Sequence, residues 1–341
     1  MVKTGLIGIG GMGRGHLANL VRFTNEGEII KLVAACDIDP ARFENGERKF
    51  NIDIGGDAID FSKFNCYTDY NEMIEKEELD MVIIALPTYM HKEATLKCLD
   101  KGINVLCEKP MSLTPADCEE MLAKAKQVGK RLMIGQVLRF WGEYEVLKEY
   151  VDSKKYGEVT GAYFFRGGSL PVWCYERWLF KRECGGGATH DQHVHDVDMV
   201  NYLFGLPTAV STVGKIIIPG SGHDSVSTNY IYEDNKVVNA QDDWTMQDDV
   251  FHMNFRVNFE KGTLQLRDDG LYASGEGEKP TKVECDKENG YYKEAKYFAT
   301  LIENPDMVNT INPPEASMDT IKLVCAEEYS ADNHGKVTEI K

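Results

Sequence analysis

Nowhere in the 341 residues do about eighteen apolar residues run together, the length that a membrane-spanning helix needs. Met1-Val2-Lys3-Thr4-Gly5 leads straight into a strand pattern, without the cationic stretch, apolar run and small-residue cleavage site of a secretory signal, so no signal peptide is expected. Cysteine is thinly spread: nine residues, an odd number, with no Cys-x-x-Cys pair. That pattern fits reduced thiols in a cytoplasm, and at this length a disulfide scaffold is unnecessary. Positive charge is in deficit, with 38 Lys and Arg against 55 Asp and Glu and a net charge of −17. Such a surface repels phosphate backbones and anionic lipid, so neither nucleic acid nor a membrane is an expected partner. A local basic pocket for an anionic cofactor remains compatible with it. There is no internal repeat and no low-complexity tract.

What is present is an ordinary globular balance, 43% hydrophobic and 27% charged, in a chain long enough for two domains. The first part alternates strands and helices. Apolar runs at Thr4–Ile9, Lys31–Cys36, Met81–Leu86, Ile103–Cys107 and Leu132–Ile134 predict strands. His16–Phe23, Glu93–Leu99 and a helix capped by Thr114 with Pro115 at its first position lie between them. Strand–helix alternation predicts a parallel sheet with right-handed crossovers. Beyond about residue 137 the pattern changes. Tyr144–Val151 reads as a helix, and Phe255, Val257 and Phe259 alternate with Arg256 and Asn258 as in a half-buried strand. Glu233-Asp234-Asn235 and Glu260-Lys261-Gly262 read as hairpin turns, and a helix over roughly Ser317–Tyr329 closes the chain. The expectation is an α/β Rossmann domain at 1–137 and, at 138–341, an α+β domain on a large open mixed or antiparallel sheet.

Gly8-Ile9-Gly10-Gly11-Met12-Gly13 is a G-x-G-x-x-G between a strand and a helix, the context that makes it a dinucleotide fingerprint. Gly8 permits the tight turn, Gly10 lets backbone approach a pyrophosphate, and Gly13 permits close helix–strand packing. Phosphates would then sit at the N–H groups of the helix start, including those of Gly11 and Met12. Asp37 ends the next strand, at the spacing of the acid that hydrogen-bonds the adenosine ribose, and its charge favours NAD over NADP. The competing reading is that Asp37 caps a turn with Asp39-Pro40. Arg42 lies nearby and would soften the preference.

Several further motifs follow: Pro87-Thr88-Tyr89-Met90-His91, Cys107-Glu108-Lys109-Pro110, Gly185-Gly186-Gly187 and Asp191-Gln192-His193-Val194-His195-Asp196-Val197-Asp198, with Leu132-Met133-Ile134-Gly135, Arg139-Phe140 and His334-Gly335-Lys336. With these the chain resembles, nearly end to end, the Gfo/Idh/MocA family, named for glucose–fructose oxidoreductase, inositol dehydrogenase and a rhizopine-catabolism protein. The resemblance implies a catalytic set of Lys109, Asp191 and His195. It also implies that Leu86, Pro87, Thr88, His91, Glu108 and Lys109 join Gly8, Gly10, Gly11, Met12, Gly13 and Asp37 in binding NAD. It further implies a homodimer or homotetramer formed through the second domain's sheet. His193 departs from the pattern, where a small residue is commoner, and so does His190.

The chemistry suits those residue types. Oxidising a secondary alcohol needs a base for the hydroxyl proton while hydride leaves the same carbon, and histidine titrates near neutrality. Asp191, four residues before His195, would share its helix face. Lys109 at a strand's C-terminal end would stabilise alkoxide charge or relay the proton. Each has a plainer reading: a solvated lysine, an acid favoured by the helix dipole, a packing histidine. Val194, Val197, Val200 and Leu203 already serve packing on that helix. His190 and His193, three apart, raise a zinc alternative, but no cysteine stands at ligand spacing, so no metal is expected. Trp178 fits either a pocket or a core. The function expected is NAD-dependent oxidation of a sugar, inositol or glycoside. A redox-assisted glycosidase or lyase with retained NAD and a non-catalytic nucleotide sensor are the alternatives.

Overall fold

Short apolar runs separated by amphipathic helices leave each strand no exposed face, and in the computed structural model they pair into one parallel sheet. The structure describes residues 1–44, 59–247 and 251–340. Two compact units divide the chain: Met1–Val137 with Asn289–Glu315, and Leu138–Glu288 with Ala316–Lys341. The contiguous second domain expected at 138–341 is thus interrupted.

The first unit begins with β1 (Val2–Ile7), α1 (Gly11–Glu26) and β2 (Ile30–Cys36). It continues through β3 (Asn65–Tyr67), α2 (Tyr70–Lys76), β4 (Met81–Ile84), α3 (His91–Asp100), β5 (Asn104–Glu108), α4 (Pro115–Val128) and β6 (Leu132–Gly135). Among the described residues the strand order is β3-β2-β1-β4-β5-β6, all parallel. The order reverses between β1 and β4, where open α/β sheets form a ligand crevice. β1 ends at Ile7, two residues short of the sequence expectation, because Gly8 turns the chain at φ +91°. α1 starts earlier than expected, inside the glycine loop, and ends where Gly27 takes a left-handed conformation (φ 68°) and donates to Phe23 and Thr24 carbonyls. The Thr114 cap is present: its hydroxyl accepts from the Asp117 N–H ahead of α4.

The second unit holds α5 (Gly142–Asp152), β7 (Val159–Gly167), the short α6 (Arg182–Gly185), a π-helical turn at Thr189–His193 and α7 (Val194–Phe204). Strands β8 (Ala209–Lys215), β9 (Ser225–Ile231), β10 (Val237–Asp243), β11 (His252–Phe259), β12 (Gly262–Arg267), β13 (Gly270–Gly275) and β14 (Thr281–Lys282) follow. The chain then returns to the first unit as α8 (Gly290–Glu303), where Tyr292 stacks on Phe23 of α1 and Phe298 enters the same core. It closes with α9 (Pro314–Asp332) and β15 (Thr338–Glu339). The second sheet has nine described strands, antiparallel except for the β7–β10 pair. Both expected hairpins form; Phe259 pairs with Gly262, so Glu260 and Lys261 make the turn. Alternation sets the two faces: Ala162, Phe164, Val238, Ala240, Phe255 and Val257 are buried, while Tyr163, Val213, Ile231 and Val237 stand exposed on the other side. The fold class read from sequence is the one observed. No described helix is long and apolar enough to cross a membrane, and all nine cysteines are free thiols.

Candidate active site

In the glycine loop two glycines are dictated by the protein itself. A Cβ on Gly8 would lie 2.4 Å from the Ala85 carbonyl oxygen, and one on Gly13 would lie 2.0 Å from that of Gly8. Gly10 is different. A Cβ there meets nothing within 4 Å, and its φ of −69° suits any residue. Space above Gly10 therefore fits a ligand that approaches the backbone. No side chain caps the start of α1, and no acidic residue stands in its first turn. The opening N–H groups and dipole of a sixteen-residue helix are thus offered to an anion, which fits a dinucleotide pyrophosphate. Gly11 is the first helical residue; the Met12 sulfur turns away to the Tyr291 hydroxyl of α8 at 3.9 Å. Asp37, half-buried, accepts from the Ile9 N–H at 2.7 Å through one oxygen and from the Asp39 N–H at 2.9 Å through the other. It caps its own turn and ties that turn to the glycine loop. A carboxylate has about four acceptor sites, so ribose hydroxyls remain within its capacity.

Beside the switch point, the C-terminal ends of β4 and β5 carry the next group of expected residues. Leu86 lies against the glycine loop, 3.4 Å from a Cβ built on Gly8. Pro87 precedes a single 3-10 turn, Thr88–Met90, in which Thr88 is buried. His91 faces main chain: Nδ1 lies 2.8 Å from the Pro110 carbonyl and Nε2 2.8 Å from that of Leu86. Burial lowers its pKa in spite of those two acceptors. His91 thus joins the loop after β4 to the loop after β5. Glu108 is also turned inward. Its Oε1 meets His16 Nε2 at 2.6 Å and its Oε2 accepts from the Lys109 N–H at 3.1 Å. Burial opposes ionisation of Glu108, but His16 and Lys109 outweigh it and hold the carboxyl below its usual range. The pair locks α1 to the strand end that presents Lys109, which is itself half-buried. Sequence reasoning did not foresee the His16–Glu108 pair, because its partners stand 92 residues apart.

In the second unit Asp191 and His195 stand half-exposed, Asp191 within the π turn and His195 in the first turn of α7. The turn's other two histidines are buried. His193 Nε2 lies 3.2 Å from Glu327 of α9, and His190 Nδ1 lies 3.5 Å from Glu328. They face different carboxylates, and no group of three metal-ligating side chains gathers among the described residues. Gly186, at φ +71°, covers His190; a Cβ there would lie 2.4 Å from its Nδ1. Gln192 accepts from the indole N–H of the fully buried Trp244 at 2.5 Å. The two later acids of the motif are structural: Asp196 pairs with Arg166 at 3.0 Å and Asp198 with Arg139 at 2.8 Å, all four buried. Trp178 packs partly buried against the Leu179, Phe180, Ala188 and Trp244 cluster, as a core residue would.

A parallel α/β unit whose glycine loop opens a helix toward an anion defines a dinucleotide-binding domain. The description of an oxidoreductase family with an NAD-binding Rossmann fold matches residues 2–136, and that of the Gfo/Idh/MocA C-terminal domain matches residues 144–265. The chain belongs to the Gfo/Idh/MocA family, and its first unit is an NAD-binding Rossmann domain. Among relatives, 2,7-anhydro-N-acetylneuraminate hydratase of Mediterraneibacter gnavus is 28% identical over 237 residues, covering 67% of this chain and 59% of that protein. Inositol 2-dehydrogenase of Salmonella typhimurium is 28% identical over 206 residues, covering 59% and 54%. The matched stretch thus spans little more than half the length of these relatives. Levoglucosan dehydrogenase, solved with NADH and levoglucosan, superposes with a TM-score of 0.82 at 18% identity over 99% of each chain. That likeness shows the fold.

Proposed function

We propose that this protein is an NAD-linked dehydrogenase that oxidises a secondary alcohol of a cyclic polyol, sugar or glycoside, with His195 as base, Asp191 beside it and Lys109 at the reacting oxygen. The observation that carries the reading is the division within one turn. His190 and His193 are buried facing carboxylates of α9, whereas Asp191 and His195 are half-exposed. Bound NAD supplies the hydride acceptor. His195 takes the hydroxyl proton as hydride leaves, and Asp191 favours the imidazolium that results. Lys109, a compact cation at the end of β5, stabilises the developing alkoxide. Asp37 favours NAD over NADP, because a carboxylate repels a 2′-phosphate. Among the named relatives, the inositol dehydrogenase supports a polyol substrate. A second copy of the chain is the proposed partner, seated on the exposed face of the nine-stranded sheet.

The hydratase relative favours a second reading, in which water is added or removed with NAD reduced and reoxidised in place. The test is a panel of inositols, aldoses, uronates, glycosides and anhydrosugars, followed by NADH absorbance. The oxidation rate is expected to rise with pH as the base loses its proton and then to level off. His195→Asn is expected to fold, to bind NAD and to lose on the order of 10² to 10⁴ in kcat, with that limb abolished. An active Asn variant, or one whose pH limb survives, would remove His195 from the role.

A further inference from the structure

The turn that carries Asp191 is not an ordinary start to α7. Thr189–His193 forms a π turn, one residue wider than α, and the chain then continues as regular helix from Val194. Such turns are rare, occur mostly as single interruptions of α-helices and are frequent at functional sites. An extra residue in the turn rotates everything before it relative to everything after it. The π form therefore sets how Asp191 stands to His195. If the turn relaxed to α geometry, the two side chains would change their mutual orientation while the fold around them persisted.

The next layer sets carboxylates against the wide turn. His190 and His193 lie 2% and 0% exposed, and consecutive acids of α9 face them at ion-pair distance, Glu328 at 3.5 Å from His190 and Glu327 at 3.2 Å from His193. Glu327 is itself fully buried, and Tyr230 of β9 faces it; burial and then the Glu327 charge push that phenol well above its usual range. Burial lowers the pKa of His190, but Cys325 and Glu328 outweigh it and raise it overall, while Glu328 is lowered in turn. Burying one acid and two imidazoles, with a second acid part-buried beside them, is a poor way to gain stability, since well-packed apolar groups of the same volume do as well or better. The best-attested use of buried polar pairs is to fix register. Here the register at stake is that of one turn.

We propose that His190 and His193, held by Glu328 and Glu327, are positioning residues that keep the turn in its π form and thereby set the orientation of Asp191 toward His195. The inference rests on the catalytic reading of Asp191 and His195, but its geometric content can be read without turnover.

The experiment compares the full-length wild type with Glu327→Gln and Glu328→Gln. The measurements are NADH binding, kcat and KM on the best alcohol of the panel, and the ring ¹⁵N signals of His195, assigned by their loss in His195→Asn. Glu327→Gln is expected to bind NADH as the wild type does and to shift the His195 ring signals. It should lose on the order of 10² in kcat, the scale of a misplacement of about 1 Å, with little change in KM. Glu328→Gln should act in the same direction. Should Glu327→Gln not fold, the half-shielded Glu328 site carries the test. Unchanged His195 signals in the folded variants would overturn the proposal, whether kcat is retained or falls only with the folded fraction. Shifted signals in an enzyme whose wild type oxidises no alcohol would support the positioning role and sink the dehydrogenase reading instead.

Discussion

Asp37 shows how a single side chain can satisfy two readings at once. It caps its turn through Asp39 and also reaches the glycine loop through Ile9. Asp37→Ser should therefore narrow the preference of kcat/KM for NAD over NADP by weakening the repulsion of a 2′-phosphate. It should also cost stability, because a carboxylate bond to the Ile9 N–H is lost. A wild type that prefers NADP would contradict the assignment. Lys109→Ala should abolish most turnover and leave NADH affinity near that of the wild type, because the lysine is assigned to the reacting oxygen and not to the pyrophosphate. Near-normal kcat would make Lys109 structural. At this scale the sequence was informative where chemistry and spacing coincide, as in the glycine loop. It was silent on His16–Glu108 and on Glu327, whose roles depend on partners brought near only by the fold. For His91 and Glu108 the motif placed the residues beside the cofactor strands, but their side chains serve backbone and His16, respectively.

Among elements, the strands of the first sheet were legible because each is an apolar run with nothing polar to hide. β3 was not, being three residues long and largely exposed, and α8 was hidden by the Asn289-Gly290 start that reads as a turn. Asn289 in fact caps α8, accepting from the Tyr291 and Tyr292 N–H groups. The glycine loop gives a contrast between neighbours. Gly10→Ala should leave Tm close to that of the wild type, since its Cβ meets no protein atom, yet weaken NADH binding at least tenfold. Gly13→Ala should lower Tm by several degrees, since its Cβ would press on the Gly8 carbonyl. A Gly10→Ala variant that binds NADH normally would show that no ligand approaches there. On β10, Asp242 is fully buried with neither carboxyl oxygen hydrogen-bonded. Burial and then the nearby Asp196 charge raise its pKa far above the carboxyl range, against the pull of Arg166. A raised acid is stable in the fold while protonated. Above its ordinary pKa the unfolded chain ionises and the folded chain does not, so stability is lost as pH rises. Asp242→Asn should therefore be more stable than wild type near pH 7, by a few degrees in Tm, with the gap closing toward pH 4. A gap that widened in acid would reverse the argument.

For the molecule as a whole, the fold class and the family were legible from end to end, but the division of the chain was not. Contiguity in sequence suggested one second domain, whereas Asn289–Glu315 returns to the first unit because α8 completes the core around Phe23. The open face of the nine-stranded sheet carries Tyr163, Val213, Ile231 and Val237 in the light, which is the basis for proposing a second copy of the chain as the partner. Net oxidation of an alcohol by NAD is decided by one stoichiometry. Purified protein with excess NAD is given the most active alcohol of the panel, and NADH formed is counted against product formed, for wild type and for His195→Asn. One NADH for each molecule of ketone product is expected in the wild type, and a rate lower by on the order of 10² or more in the variant. Product accumulating without NADH would contradict it and favour chemistry in which the cofactor is reoxidised before the product leaves.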